Sequence, residues 1–240
     1  MNKKLLVFLP VLLLLVSSTE VHASSLFVVT KEGTVEKRVL GDSVDVNTTV
    51  QKVTQKVASA AIDGVKEIAL AEIESKTHIK IITNTSDSSL EVPSVLAQLV
   101  EIEGESPSDK VVVTKLEEGF GVTQKGITAK TRFDLTIHPE DHKVYVKNSS
   151  VESPLIVLPS DAVKSVVANG SINILPKDGA ITIESDGNQM NYLIKGERAV
   201  NLFNKALVTV PVTITVSSST GILTHIDQPQ WLSLFGFLFS

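Results

Sequence analysis

Cysteine is absent from this sequence of 240 residues, which excludes disulfide bonds, thiolate metal sites and a cysteine nucleophile. Aromatic residues are scarce as well, at 5% of the chain, and Trp231 is the single tryptophan. The net charge of −5 at pH 7 argues against nucleic acid as a partner, because surfaces that bind it are basic. We therefore expect a protein held together by an apolar core, which a chain of this length is able to bury.

The longest apolar run, residues 5–16, lies next to the N-terminus. Lys3 and Lys4 precede it, and a polar stretch ending in Val-His-Ala23 follows. This order is typical of a secretory signal peptide cleaved after Ala23, and the run is shorter than the ~20 residues of a spanning helix. No cysteine follows the run, so we expect no lipid attachment. We expect a secreted or cell-surface protein, with an uncleaved signal anchor as the alternative.

Apolar residues recur at helical spacing after the first hairpin, and this pattern predicts a helix near residues 48–75. Asp63 and Gly64 would bend or break it. We expect its apolar face to pack on the core, with presentation to a partner as the alternative. The residues that carry the pattern are Val50, Val53, Val57, Ala61, Val65, Ile68 and Ile73.

Most other segments have the pattern of strands. The clearest is residues 127–137, where apolar and polar side chains alternate with one weak position at Thr131, as in an antiparallel sheet with one wet face. We expect it to pair with residues 143–147 through a turn at 138–142. The other predicted strands are 26–29, 34–40, 78–83, 90–92, 95–102, 111–116, 154–158, 172–175, 180–184, 190–195, 208–216 and 222–226.

The C-terminal third adds two local predictions. Ser160 is expected to cap a short helix over residues 161–168, which Asn169 and Gly170 would end. Pro211 has no N–H to donate, so it predicts an edge strand or a bulge.

Together these patterns predict an α+β protein of mostly antiparallel β-sheet, with one longer N-terminal helix and one short helix in the C-terminal unit. The predicted organisation is a signal peptide at 1–23, a hairpin, helix and β-rich region at 24–150, an α+β unit at 151–227, and an apolar aromatic tail at 228–240. The polar segment 148–153 is the predicted boundary.

Residues 154–231 contain a short helix after Leu-Pro159-Ser-Asp-Ala, a strand Asn-Tyr192-Leu-Ile-Lys and a turn Ser-Thr-Gly221-Ile-Leu. This order resembles PepSY-like units, apart from an insertion at 198–207. The whole layout is similar to uncharacterised exported proteins of candidate-phylum bacteria. The resemblance implies a non-catalytic role at the cell surface or binding of exported peptidases, and it carries over no site residue.

Two features are candidates for chemistry or binding. His138, Glu140 and His142 lie within five residues, but Pro139 and the flanking strands favour a hairpin tip over a metal site, and we predict no cofactor. The tail is the second, and we expect it to fold back on the sheet, with an interfacial membrane anchor or partner contact as the alternative. Its candidate interaction residues are Trp231, Phe235, Phe237 and Phe239.

No catalytic residue is assigned, because the sequence contains no nucleophile elbow, zinc-binding helix motif or phosphate loop. We expect a non-enzymatic binding or cell-envelope-associated protein, with an envelope or extracellular protein as its partner. The alternative is a secreted hydrolase or metal-dependent enzyme with dispersed site residues.

If the signal peptide is cleaved as predicted, the exported chain begins at Ser24. Mass spectrometry of the N-terminal peptide from secreted or envelope material measures this directly. An intact Met1 in that material would contradict the cleavage.

Overall fold

The computed structural model describes residues 25–39, 58–92, 98–149, 151–173, 175, 181–187, 189–202 and 206–234. The predicted signal peptide, the first ten residues of the predicted N-terminal helix, and Phe235, Phe237 and Phe239 of the tail lie outside the described residues. In the described ranges no helix is long and apolar enough to cross a membrane.

Strands hold 60% and helices 8% of the described chain. The predicted α+β class with a longer N-terminal helix is therefore wrong, and the protein is mostly β. The strands are β1 (Phe27–Val29), β2 (Val35–Val39), β3 (Ala58–Ile62), β4 (Val65–Ile73), β5 (Lys76–Thr83), β6 (Asp87–Glu91), β7 (Gln98–Ile102), β8 (Val111–Lys115), β9 (Phe120–Gln124), β10 (Ile127–Thr131), β11 (Asp134–His138), β12 (Lys143–Asn148), β13 (Val151–Pro154), β14 (Ile181–Asp186), β15 (Gln189–Leu202), β16 (Ala206–Ser217) and β17 (Leu223–Asp227). The helices are α1 (Pro159–Ala168) and α2 (Gln230–Leu234).

The strands form two sheets. The large sheet has the order β17-β16-β15-β14-β10-β9-β8-β7-β1-β2-β3, and the small sheet has the order β13-β12-β11-β4-β5-β6. Among the described strands nearly all neighbours are antiparallel, and the two parallel pairs are β1 with β7 and β10 with β14. Buried apolar side chains from both sheets and from α1 form one core cluster, which includes Phe27, Ile68 and Phe120.

The predicted helix fails over its described part, because residues 58–73 form β3 and β4. Gly64, with φ +67°, lies in the tight turn between them. A register shift between Val65 and Glu67 in the pairing of β4 with β5 changes the phase of the strand. Val65, Ile68 and Leu70 are consequently all buried. Val65 and Ile68 are three residues apart because of a β-bulge, whereas Ile68 and Leu70 have the spacing of two that is usual in a strand. The first of these spacings is also that of a helix.

The segment predicted as one strand at 127–137 is two strands in different sheets. β10 pairs with β9 in the large sheet, while β11 pairs with β4 and β12 in the small sheet. Thr131, the weak position of the pattern, is buried and ends β10. Its hydroxyl accepts a hydrogen bond of 3.1 Å from the N–H of Phe133, which shapes the crossing.

Several hairpins are confirmed. β1 pairs with β2, β11 with β12, and β16 with β17, as the turn residues predicted. Pro211 also lies at an edge as predicted, because β17 covers β16 only from Thr213 to Val216. The described residues of the predicted insertion at 198–207, which are 198–202, 206 and 207, pair in the outer part of the long β15–β16 hairpin.

Other local predictions need correction. The chain after Pro154 is not a strand, because β13 ends there, and no strand is assigned at residues 172, 173 or 175. The Ser160 hydroxyl does not cap α1, whose N-cap is Leu158, and instead hydrogen-bonds the side-chain oxygen of Gln124 on β9. Gly170 follows the helix with φ +65°, as predicted for its end. Residues 148–153 span the end of β12 and part of β13, and the domain boundary there stays a prediction.

Gly119 offers a direct test of the turn that supports β9. It has φ +73°, and a Cβ at this position would collide with the carbonyl oxygen of Thr131. Gly126 has a similar φ of +77° but open space around it. We expect Gly126→Ala to lower the free energy of unfolding by about 1–2 kcal/mol from backbone strain alone. Gly119→Ala should lower the free energy of unfolding by about 1–3 kcal/mol more than this, because the added methyl group overpacks the site.

Urea denaturation followed by circular dichroism measures both values. Equal losses for the two variants would contradict the close approach of residues 119 and 131.

Candidate binding cleft at the sheet seam

The large sheet is split where β10 and β14 meet. These parallel strands share a single register position, Lys130 opposite Thr182. One residue later the chain leaves β10 for the small sheet, whereas β14 continues to Asp186. Among the described strands, none lies beside β14 beyond Thr182 on the β10 side. The departure of β10 therefore leaves residues 183–186 of β14 with an open edge inside the sheet.

A cleft of about 860 Å³ occupies this gap, which we call the seam cleft. Its volume is within the range of about 300–1,000 Å³ that is common for ligand sites. Each wall contains four consecutive residues, 130–133 on one side and 182–185 on the other. Because successive side chains of a strand point to opposite faces, such walls are backbone edges rather than strand faces. The remaining lining residues are Leu116, Glu117 and Glu118 of the turn before β9.

The seam cleft has an apolar floor and a charged rim. Ile183 and Thr131 are each only 3% exposed, and Leu116 and Phe133 are half-buried. The charged lining residues are all exposed: Glu117, Glu118, Lys130, Arg132 and Glu184.

The rim charges do not all remain available to a ligand. Arg132 Nη2 lies 2.5 Å from Glu118 Oε2, so these two charges compensate each other. Both side chains are highly exposed, at 82% and 72%, and such a pair adds little to stability. The Thr182 hydroxyl donates to Glu184 at 3.3 Å. The remaining charges of the rim are those of Glu117, Glu184 and Lys130, so negative charge exceeds positive charge there.

Contacts from the small sheet fix the seam cleft in place. The N–H of Gly119 donates to Glu72 Oε2 on β4 at 2.9 Å. On the opposite wall, Asn148 Nδ2 at the end of β12 donates to the hydroxyl of Ser185 at 2.9 Å. Gly119 does not itself line the cleft, but it lies against the carbonyl oxygen of Thr131 in the first wall. One wall is therefore tied to the small sheet through the turn before β9 and the other directly through Ser185, which gives the cleft a preformed shape.

The histidines predicted as weak metal candidates have different partners. His142, with φ +57°, places Nε2 2.9 Å from the carbonyl oxygen of Thr30 in the first hairpin. His138 stacks on Tyr145 with ring centroids 4.5 Å apart. Glu140 is exposed at the hairpin tip. Within the described ranges, no group of three or more His, Asp or Glu side chains is arranged to hold a metal ion.

The same hairpin contains a charge-assisted hydrogen bond. The hydroxyl of Tyr145 donates to Asp141 Oδ2 at 2.6 Å, and the N–H of Lys143 donates to Asp141 Oδ1 at 3.1 Å. Partial burial acts to raise the pKa of Asp141, but these bonds and the Lys143 charge hold it below its ordinary value. The carboxylate raises the pKa of Tyr145 in turn.

The tail is described only as far as Leu234. Trp231 is 42% exposed and Leu234 is 71% exposed, whereas Leu232 is buried at 7% exposure. α2 therefore packs on the protein through Leu232. The interaction role predicted for Trp231, Phe235, Phe237 and Phe239 stays a prediction.

Sequence reasoning missed the seam cleft, because its residues come from three separated segments. Two local signals existed. Thr131 interrupts the alternation where the chain changes sheet, and Gly119 follows two glutamates where only a residue without a side chain fits. Neither feature identifies β14 as the strand that lies beside β10.

No protein-family model matches the chain, and no curated protein matches it in sequence. The fold and the seam cleft define a β-rich protein without disulfides that has a preformed cleft between two diverging strands.

The pKa of Asp141 is lower in the folded protein than in the unfolded chain. The hydrogen bonds of its carboxylate therefore stabilise the fold at any pH above the unfolded-state pKa, and this stabilisation is lost as the pH falls through the folded-state pKa. We expect Tyr145→Phe to cost about 0.5–1 kcal/mol near pH 7, given the partial exposure of the pair. The difference from the wild type should shrink below pH 3.8.

Tyr192→Phe is the matched control. The buried hydroxyl of Tyr192 donates to the carbonyl oxygen of Val157 at 2.7 Å, a neutral partner. The decrease in the free energy of unfolding caused by Tyr192→Phe should therefore be the same throughout this acid range. Urea unfolding at pH 7, 5 and 3 compares the variants, and a constant loss for Tyr145→Phe would contradict the account of Asp141.

Proposed function

We propose that this chain is an exported, non-enzymatic binding protein of the cell envelope or surface that takes its ligand into the seam cleft. The observation that carries the proposal is the open edge of β14 at residues 183–186, which faces a preformed cleft with an apolar floor and a charged rim. Concave sites with an apolar lining and a few polar groups are the usual places of ligand binding.

Three further points support this proposal. The N-terminal sequence pattern is that of an export signal, which would place the ligand outside the cytoplasm. The hydrogen bonds from Gly119 and Asn148 hold the two walls in position, so little ordering would accompany binding. The absence of cysteine is compatible with an oxidising compartment.

The lack of cysteine also makes the proposal easy to test, because a single introduced thiol is a unique labelling site. Glu184→Cys places an environment-sensitive dye at the rim of the seam cleft. Glu197→Cys is the matched control, since Glu197 is also an exposed glutamate on a strand of the large sheet but does not line the cleft.

The probes are a tryptic digest of a denatured protein, soluble peptidoglycan fragments, and vesicles of neutral or anionic lipid. We expect at least one probe to change the fluorescence of the dye at position 184 saturably, with no change at position 197. Failure of all of the probes at position 184, or equal responses at the two positions, would contradict binding in the seam cleft.

A further inference from the structure

We infer that the ligand of the seam cleft is an extended polypeptide segment of alternating apolar and basic residues that adds a strand beside β14. This inference rests on the binding role proposed above and names the class of ligand.

The first step is the backbone of β14. β15 pairs with the full length of β14, from Ile181 to Asp186. On the other side β10 reaches only to Thr182. Beyond the hydrogen bonds of that one bridge, every second residue of 183–186 turns its backbone groups toward the seam cleft. An unpaired strand edge is a template for an added strand, and its main-chain hydrogen bonds give such complexes their affinity.

The second step compares this edge with other open edges in the described part of the chain. The outer edges of β3 and β17, at the two ends of the large sheet, are also open, but they do not line the seam cleft. β13 ends in Pro154, and the uncovered part of β16 contains Pro211, neither of which can donate to a new strand. β6 is bordered by the ion pairs Lys76–Glu91 and Lys80–Asp87. Prolines and charges at an edge discourage the pairing of further strands. Residues 183–186 of β14 include no proline, and three of them line the seam cleft.

The third step sets the length of the added strand. Residues 183–186 extend over about 13 Å at roughly 3.3 Å per residue. An added strand of about four to six residues would satisfy this edge. The crossing of the chain at Arg132 and Phe133 closes the opposite wall of the cleft.

The fourth step is side-chain complementarity. Neighbouring residues on paired strands point to the same face of a sheet. A ligand residue beside exposed Glu184 would share the wet face with it, where a lysine complements the acidic rim. Residues on either side of that position would point with buried Ile183 toward the apolar floor. This arrangement predicts alternation of basic and apolar residues in the ligand.

The test uses fluorescein-labelled peptides and anisotropy with the chain purified after export. The probe is acetyl-Lys-Val-Lys-Val-Lys-Thr-amide. Two analogues are N-methylated on either the lysines or the valines, which removes donors from one edge of the peptide strand while keeping its side chains. A fourth peptide replaces all three lysines by glutamate.

We expect saturable binding of the lysine peptide, at least tenfold weaker binding of one N-methylated analogue, and weaker binding of the glutamate peptide. Glu184→Lys should reduce the preference for lysine over glutamate at least fivefold, whereas Glu197→Lys should leave it unchanged. Undiminished binding of both N-methylated analogues would overturn strand addition. Equal binding of the lysine and glutamate peptides would overturn the basic character of the ligand.

The results also separate this inference from the proposed function. If the dye at position 184 responds to glycan fragments or vesicles while no peptide binds, the inference is wrong and the seam cleft is still a binding site. If neither the dye nor the peptides respond, both are wrong.

Discussion

The departure of the chain from β10 at Arg132 is the constraint on which the rest of the structure depends. At this point a strand in the middle of the large sheet turns into β11 of the small sheet. The crossing allows both sheets to contribute to one core, because Ala129 is buried on one side of it and Leu135 on the other. It also removes the partner of β14 after a single register position. The shared core and the seam cleft are two consequences of the same change of direction.

The groups that make this crossing are matched to one another. Gly119 provides the space into which the carbonyl of Thr131 fits, and its own N–H is bonded to Glu72 of the small sheet. The hydroxyl of Thr131 accepts from the N–H of Phe133, which would otherwise lose its ladder partner where the strand ends. Arg132 extends into solvent and pairs with Glu118 of the turn before β9. The seam is therefore built from specific bonds, and its open edge is a stable feature of the fold.

The sequence predicted the hairpins well because turn chemistry and alternation are local properties. Gly33 and Gly221 mark turns that join β1 to β2 and β16 to β17. Two features were not readable in this way. The bulge in β4 gives Val65 and Ile68 the spacing of a helix, and only the pairing with β5 identifies it as a strand. Apart from the weak position at Thr131, the alternation likewise resumes although the chain changes sheets, since it records which side chains are buried and not which strands are neighbours.

Prediction of the candidate site would have required such contacts between segments distant in sequence even more. The glutamates and lysine of the rim have the pattern of ordinary wet strand faces, and the parallel contact of β10 with β14 joins segments about fifty residues apart. Conversely, His138 and His142 attracted attention because they are close in sequence, but the first stacks on Tyr145 and the second binds the Thr30 carbonyl.

The open edge of β14 is the central claim, and residue-resolved amide hydrogen exchange measures it most directly. In the ligand-free protein, the amide of Ser185 should exchange rapidly, while those of Glu184 and Asp186, which face β15, stay protected. The amides of β9, which has strands on both sides, should all be protected. Uniform protection of residues 183–186 would contradict an open edge and, with it, the account of the cleft.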